Sequence, residues 1–243
     1  MTILPPPLRL WSGTMQNRCE FDEIPVYWQN NDTITFLVDP GICHPSDYDF
    51  LTQGEKDQVQ TFKPLISRQR FIVSRTILKY ILREILSKEH ITDVVLIRNN
   101  DGRILVKNHP SLYICLSYSG TSIAITVGKR KLGSDIELVR PVHDKKITSS
   151  PIFTDITCKE DKERLWQVIH VWTLVEAYAK LHDLNPYPLL NNHSLFEDTH
   201  FVSYCIDQHS IFSLTSGPDQ FTDALVWLDT SGRVNHRLAG TRE

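Results

Sequence analysis

The segment YICLSYSGTSIAITVGKRKLGSDIEL, Tyr113–Leu138, decides the fold class of this sequence. It holds three short strand-like stretches that are separated by the turn Ser119-Gly120 and by the basic turn GKRK. Closely spaced strands with tight turns are typical of antiparallel pairing. The segment therefore predicts a small antiparallel sheet.

Two long helical segments flank this sheet. Upstream, apolar residues recur at helical spacing between about Glu55 and Glu89. Downstream, Thr157 and Glu160 form a capping-box pattern ahead of a helix that runs to about His182. Short strands are predicted elsewhere, at TITFLV (33–38), VVLIR (94–98), ILV (104–106), FVSYCI (201–206), IFSLTS (211–216) and TDALVWLD (222–229). This order predicts an α+β fold in two halves, 1–128 and 129–243, that meet at the basic turn.

Composition narrows the class of protein. Of the 243 residues, 41% are hydrophobic and 23% charged, which is ordinary globular usage and excludes disordered and fibrous chains. A net charge of −3 excludes a general attraction for nucleic acid, so any anion site must be local. Five cysteines without a CxxC pair, no apolar run of membrane length and no secretory signal predict a cytoplasmic protein with reduced thiols and no membrane contact.

Asp135 and Glu137 form the first candidate site. Alternate residues of a strand project from the same face, so the two carboxylates lie side by side. Two like charges so placed repel unless a cation neutralises them, and hard oxygen ligands in small number favour Mg²⁺. A solvated strand face has the same pattern, and the pair alone does not distinguish the two interpretations.

Two further motifs are ambiguous on their own. Glu176 and Lys180 in WTLVEAYAK stand one helical turn apart, which fits a surface ion pair or a polar line facing a groove. The pentad LSYSG, Leu116–Gly120, offers hydroxyls and backbone N–H groups to an anion, or is a plain hairpin turn.

Five motifs taken together give a resemblance. In order, SRTILKYIL (74–82), DGRI (101–104), YICLSYSG (113–120), LGSDIE (132–137) and WTLVEAYAK (172–180) are similar in type and spacing to those of the Sfp-like 4′-phosphopantetheinyl transferases. The resemblance covers residues 65 to 182. It implies two pseudo-symmetric halves, each a small antiparallel sheet packed on a long helix, with the active site between them.

The resemblance also implies an activity. Coenzyme A is the donor, and the acceptor is a serine of an acyl or peptidyl carrier protein, which receives the phosphopantetheine arm as adenosine 3′,5′-bisphosphate leaves. Asp135, Glu137 and Glu176 are implied Mg²⁺ ligands, and Glu176 and Lys180 are implied catalytic residues. The implied coenzyme A contacts are Arg75, Arg103, Ser117, Tyr118, Ser119 and Lys180.

Two departures from the family pattern leave alternatives open. Tyr118 stands where the family has histidine, and Val175 stands where it has lysine, so up to two cationic groups are missing. A weakened relative that binds coenzyme A without transfer is one alternative. An Mg²⁺-dependent nucleotide phosphohydrolase is another. Length and motif layout favour a monomer.

Overall fold

The computed structural model describes residues 6–11, 18–39, 45–142, 144, 147, 149–153, 161–197 and 199–230. Its α-helices are α1 (Ile24–Asn30), α2 (Gln53–Thr61), α3 (Leu65–Ile85), α4 (Asp161–His182) and α5 (Pro186–Leu189). Its strands are β1 (Leu8–Trp11), β2 (Arg18–Cys19), β3 (Thr33–Val38), β4 (Leu96–Arg98), β5 (Ile104–Val106), β6 (Tyr113–Ser119), β7 (Ser122–Gly128), β8 (Gly133–Leu138), β9 (Phe201–Ile206), β10 (Ser210–Thr215) and β11 (Asp223–Leu228). The α+β prediction is confirmed.

Two sheets form the body of the protein. The first has the strand order β2-β11-β3-β7-β6, and the second has the order β1-β9-β10-β8. The pairs β3–β7, β6–β7, β8–β10 and β9–β10 are antiparallel, whereas β1–β9, β2–β11 and β3–β11 are parallel. The predicted antiparallel pairing is confirmed for the hairpin β6–β7, but each sheet also contains parallel pairs, and β8 pairs with β10 in the second sheet. Hairpin turns give antiparallel neighbours, but β1, β2 and β11 reach their partners from distant parts of the chain.

Each sheet takes a strand from across the predicted boundary at residue 128. Strand β1 joins the second sheet, and β11 joins the first. The division into 1–128 and 129–243 and the pseudo-symmetry of the halves stay predictions.

The first long helical segment is two helices. Helix α2 ends at Thr61, and α3 begins at Leu65 after the N-cap residue Pro64. A proline disfavours helical backbone at the residue before it, so a single helix across Lys63 is excluded. Helix α3 buries Ile77, Leu78 and Ile81 against the first sheet, while β4 and β5 form a separate hairpin beside it.

Strand β3 differs from the half-buried strand that its alternation suggests. All six of its residues are buried, because β3 lies between β11 and β7 and both faces of the sheet are covered. The hydroxyls of Thr35 and Thr126 bond to each other at 3.0 Å across the β3–β7 pair. Buried polar groups are tolerated in a protein core when they are hydrogen-bonded in this way.

Helix α4 packs closely on β8. A Cβ atom at Gly133 would collide with the backbone carbonyl of Ala177 and the backbone nitrogen of Leu181, so glycine permits this approach. The helix ends at His182, as predicted, and Asn185 caps the short helix α5. The predicted capping box at Thr157 and Glu160 lies outside the described residues.

Two findings concern the environment of the chain. Cys19, Cys115 and Cys205 are buried free thiols, and Cys43 and Cys158 lie outside the described residues. Among the residues that the structure describes, no helix is both long enough and apolar enough to cross a membrane.

Candidate functional site

Side chains rather than a backbone ladder join the two sheets where β6 lies beside β8. The hydroxyl of Ser117 accepts a hydrogen bond from the backbone N–H of Ile136 at 3.1 Å, and that of Ser119 accepts one from the N–H of Leu138 at 2.9 Å. The thiol of Cys115 takes the same position two residues earlier. Alternate residues of one strand therefore hold alternate residues of the other, which fixes the register between the sheets.

The same two hydroxyls hold the predicted carboxylates. Ser117 donates to Oδ1 of Asp135 at 2.7 Å, and Ser119 donates to Oε2 of Glu137 at 2.6 Å. Both serines are buried, and they lie in a strand rather than in the anion-binding turn that LSYSG suggested. Hydrogen bonds to a carboxylate are stronger than neutral ones, so these contacts aim the two acids.

Lys180 meets this seam from α4. Its Nζ donates to Oδ1 of Asp135 at 2.7 Å, to the hydroxyl of Ser117 at 3.0 Å and to the carbonyl of Ser134 at 3.2 Å. Oε2 of Glu176 lies 3.8 Å from the same nitrogen. Burial alone would lower the pKa of Lys180, but the negative charge of Asp135 raises it above its ordinary value. Lys180 is therefore a fixed cation.

The three carboxylates, Asp135, Glu137 and Glu176, are called here the carboxylate cluster. Burial and the neighbouring charge of Asp135 raise the pKa of Glu176 to about 7. Burial also raises the pKa of Glu137, and the charge of Asp135 adds to this effect. These groups carry more negative charge than Lys180 alone neutralises.

The carboxylate cluster offers a metal ion only part of a coordination shell. Within the described ranges, no group of three or more His, Cys, Asp and Glu side chains is arranged so that it could hold a metal ion by itself. However, Oδ2 of Asp135 is buried without a hydrogen-bond partner among those residues. Mg²⁺ commonly binds one or two protein carboxylates and completes its shell with water and substrate phosphate. The donor set fits a cation that is held jointly with a phosphorylated ligand.

Two cavities flank the cluster. One of about 410 Å³, called here the basic cavity, is bordered by Arg75, Arg98, Arg103, Tyr118 and Lys180 together with apolar residues of β5, β6 and α4. The other, of about 480 Å³, is called here the apolar cavity because five of its eight bordering residues are apolar: Glu137, Arg140, Pro141, Val142, Asp144, Ile147, Ile169 and Trp172. The cluster thus has a cationic space on the Lys180 side and a more apolar one on the Glu137 side.

Arg103 borders the basic cavity, but most of its donors are committed. Its guanidinium bonds to the carbonyls of Lys180 and Leu181 and to the carboxylate of Asp183. It therefore satisfies the open carbonyl groups at the end of α4. The structure places this arginine as a helix cap, and its predicted contact with coenzyme A stays a prediction.

Ser117 is also fully engaged. A hydroxyl has one donor and two acceptor positions, and here Asp135, Ile136 and Lys180 use all three. Ser119 keeps one acceptor position. Contacts from these serines to coenzyme A stay predictions, and one from Ser117 requires a present bond to break.

The two departures from the family pattern have structural explanations. Tyr118 points away from the carboxylate cluster, and its hydroxyl bonds to that of Ser74 at 2.9 Å. Val175 is fully buried in an apolar group with Trp172, Ile147 and Phe153, where a lysine would need to bury its charge. Val175 is therefore a core residue in this protein.

Sequence reasoning missed Arg98. It closes β4 and borders the basic cavity, although its position in a strand gave no sign of a site. The available signal was its closeness in sequence to the DGRI motif, and in the structure its guanidinium donates to the carbonyl of Gly102 at 3.3 Å.

Comparison with known proteins gives one informative match. No family model matches the chain. A 4′-phosphopantetheinyl transferase, psf-1 of Bacillus pumilus, is 22% identical over 135 residues, which is 54% of this chain. The alignment spans 58% of that relative's length. The chain is therefore similar, over about half its length, to a named phosphopantetheinyl transferase, and this similarity supports the superfamily to which its five motifs point.

Proposed function

We propose that this protein transfers the 4′-phosphopantetheine arm of coenzyme A to a serine of an acyl or peptidyl carrier protein. One observation carries the proposal: Lys180 is anchored between Asp135 and Glu176 at the border of a cavity lined by three arginines. Such a cavity suits a donor that carries several phosphates, and the carboxylates beside it suit a divalent cation and a general base.

The residues would divide the work as follows. Lys180 is held in place by Asp135, Ser117 and the carbonyl of Ser134, which use its three donors, so it would act on the pyrophosphate through its charge and would exchange one of these bonds to donate to it. Glu176, whose pKa of about 7 lies near neutrality, takes the proton from the acceptor serine directly or through a water. The serine oxygen bonds to the β-phosphorus, the bond from that phosphorus to the bridging oxygen breaks, and adenosine 3′,5′-bisphosphate leaves with the electron pair.

Asp135, Glu137 and Glu176 would hold Mg²⁺. When bound, the ion supplies charge neutralisation for the pyrophosphate and its leaving oxygen. The unpartnered Oδ2 of Asp135 supports this assignment.

The two cavities suggest how donor and acceptor approach. The nucleotide end of the donor fits the basic cavity, where the cations lie. The acceptor serine would reach the cluster from the apolar cavity, whose border includes Ile169 and Trp172. Donor and acceptor would then meet at the carboxylate cluster from opposite sides, as a direct displacement at phosphorus requires.

The test is to incubate the protein with coenzyme A, Mg²⁺ and apo carrier proteins and to weigh the carriers. We expect a mass increase of one phosphopantetheine group, which a carrier with serine replaced by alanine does not show. An Asp135→Asn variant should lose most of the transfer. If no carrier from several pathways gains mass while coenzyme A still binds, the protein is a binding module. This alternative stays open because Tyr118, which stands in place of the family's histidine, has its hydroxyl bonded to Ser74.

A further inference from the structure

Arg103 joins separate segments of the chain where α4 lies against β8. Its Nε donates to the carboxylate of Asp183, and one terminal nitrogen donates to the carbonyls of Lys180 and Leu181 near the end of α4. The other terminal nitrogen donates to the carbonyl of Leu132, just before β8, at 3.4 Å. Four of the five N–H donors of this guanidinium are thus engaged within the protein.

Asp183 holds the same guanidinium from the end of the helix. It directly follows the last residue of α4, and its backbone lies in the left-handed region with a φ of 59°. Aspartate and asparagine tolerate this region better than most residues do. The carboxylate of Asp183 pairs with Arg103 and also accepts a hydrogen bond from Nζ of Lys131 at 3.0 Å. The pair Arg103 and Asp183, called here the clamp, therefore ties the end of α4 to the start of β5 and to the basic turn before β8.

The clamp lies beside the closest approach between the helix and the strand. Gly133, the first residue of β8, has no room for a Cβ atom because the backbone of α4 lies against it. Leu132, whose carbonyl accepts from Arg103, directly precedes this glycine. Lys180 crosses the same interface, where its Nζ lies 2.7 Å from Oδ1 of Asp135. A guanidinium that bonds to both sides of this interface fixes where α4 lies along β8, and with it where the ammonium of Lys180 ends.

A clamp and a contact with the donor make different demands on Arg103. An arginine that binds an anionic donor needs free N–H groups, whereas Arg103 has one left and is already neutralised by Asp183. A planar fork that bonds to several acceptors at once is the geometry in which lysine cannot replace arginine. The bonds of Arg103 therefore favour an action on Lys180 over an action on a ligand.

We infer that Arg103 and Asp183 are positioning residues for the transfer reaction, and that they act by holding the ammonium of Lys180 in register with Asp135. The catalytic role of Lys180 rests on the proposed function. The clamp rests on the bonds described above. Loss of the clamp should therefore slow the transfer step without weakening the binding of coenzyme A.

The experiment uses Arg103→Lys and Asp183→Asn in the full-length protein. The first variant keeps the positive charge and loses the fork, and the second keeps the shape and the tolerance for a positive φ. We expect each variant to lower the kcat of carrier modification by roughly tenfold or more, because a misplacement of about 1 Å can cost up to roughly 10² in rate. The dissociation constant of coenzyme A, measured by calorimetry, should stay within about threefold of the parental value. Asp183→Asn removes a negative charge from the border of the basic cavity, so it gives no reason for weaker binding of an anionic donor.

An NMR measurement reports on Lys180 without any activity. The ammonium signal of the isotope-labelled side chain, assigned by its absence in Lys180→Arg, should shift in both clamp variants because the bond to Asp135 changes. Arg130→Lys is the matched control. Arg130 lies in the basic turn and pairs with Asp32 at 3.4 Å, and it has no bond to α4 among the described residues. This control should leave the Lys180 signal, the kcat and the affinity for coenzyme A unchanged.

The two readouts separate this inference from the proposed function. If the Lys180 signal shifts in the clamp variants alone while the parent protein modifies no carrier, the clamp stands and the proposed transferase activity fails. A Lys180 signal that stays in place in both variants overturns the inference, whether or not the carriers gain mass. Weaker binding of coenzyme A at a parental kcat would also overturn it, because that result assigns Arg103 to the donor. Urea unfolding checks the fold of each variant, and Asp183→Asn carries the test where Arg103→Lys does not fold.

Discussion

The carboxylate cluster and the two arginines Arg75 and Arg98 of the basic cavity differ in how far contacts within the protein hold their side chains. In the cluster, Ser117 and Lys180 bind one oxygen of Asp135, and Ser119 binds one oxygen of Glu137, so two of the three acids are held in place before any ligand arrives. Arg75 and Arg98 have few such bonds. The difference teaches that the side chains of the cluster are positioned by folding, whereas those of the two arginines are held by fewer contacts within the described residues.

The largest expected effect comes from Glu176→Gln. The change keeps the shape of the side chain and removes both a charge of the cluster and the proposed base. We expect the transfer rate to fall by roughly 10² or more, as loss of general-base catalysis does. The carrier mass assay under single-turnover conditions measures this. Transfer at the parental rate would show that Glu176 has no such role.

Next in size is the stability change in Lys180→Ala. This variant leaves Asp135, whose side chain is 5% exposed, without its cation, and we expect a loss of about 2 kcal/mol in the free energy of unfolding. Arg98→Ala should change stability by less than about 0.5 kcal/mol, because Arg98 is exposed and forms no ion pair with any residue that the structure describes. Urea unfolding of both variants measures the contrast, and equal losses would remove the distinction between the two regions.

The buried His170, which lies on the same helix as Glu176 and Lys180, makes the stability of the protein depend on pH. Burial lowers the pKa of His170 on α4 from 6.5 to about 4. Below pH 6.5 the unfolded chain takes up a proton at His170 that the folded protein does not, so the contribution of His170 to stability falls as the pH drops towards 4. The raised pKa of Glu176 acts in the opposite direction, so the His170 contribution is isolated by comparing the parent with the variant. From pH 6.5 to 5.5 this amounts to about 1 kcal/mol, and His170→Gln should abolish it. Urea unfolding at a series of pH values gives the slopes. An unchanged slope in the variant would assign the acid loss to other groups.

Ser119→Ala tests whether the seam between the sheets aims the cluster. The backbone N–H of Leu138 and the carboxylate of Glu137 lose their partner, so we expect a loss of about 1 kcal/mol in the free energy of unfolding. We also expect weaker binding of Mg²⁺, measured as a higher Mg²⁺ concentration at half-maximal activity. Ser119→Thr keeps the hydroxyl and should restore both the stability and the Mg²⁺ response. Ser122→Ala, at the start of β7, is the control. A variant with parental stability and Mg²⁺ response would show that the seam is dispensable.

The smallest effect is expected from Tyr118→His. Histidine would bring a cationic group to the basic cavity, but its pKa would be lowered beside Arg75 and Arg98. We therefore expect coenzyme A to bind only a few-fold more tightly at pH 6 and almost unchanged at pH 8. Calorimetry at the two pH values measures this, and an unchanged dissociation constant at both would show that the tyrosine costs no charged contact.

Local patterns predicted much of this molecule. The alternation in LGSDIEL placed Asp135 and Glu137 on one face of a strand, and the helical spacing of WTLVEAYAK placed Glu176 and Lys180 one turn apart. Both are properties of a single element, so the sequence contains them. The contact between Lys180 and Asp135 is consistent with the prediction that these motifs meet.

The features that the sequence could not predict all join distant segments. Alternation predicts on which face of its strand a serine lies, but it does not predict which other strand that serine contacts. The hydrogen bonds of Ser117 and Ser119 with β8 were therefore not predicted. Arg103 and Arg98 acquire their environments from the end of α4 and from the cavity, both far away along the chain. The break at Pro64, by contrast, was a local signal that the long apolar periodicity concealed.

The exchange of terminal strands has a consequence for how the protein is made. Strand β11 inserts between β2 and β3, and the N–H of Asp32 is bonded to Thr222, 190 residues further on. On the ribosome, the five-stranded sheet stays incomplete until the residues of β11, Asp223–Leu228, have emerged. A contact between residues so far apart in sequence closes a long loop, and the conformational entropy lost in closing that loop slows the folding reaction. Nascent chains that stall before residue 223 should therefore expose the edge of β3 and depend on chaperones.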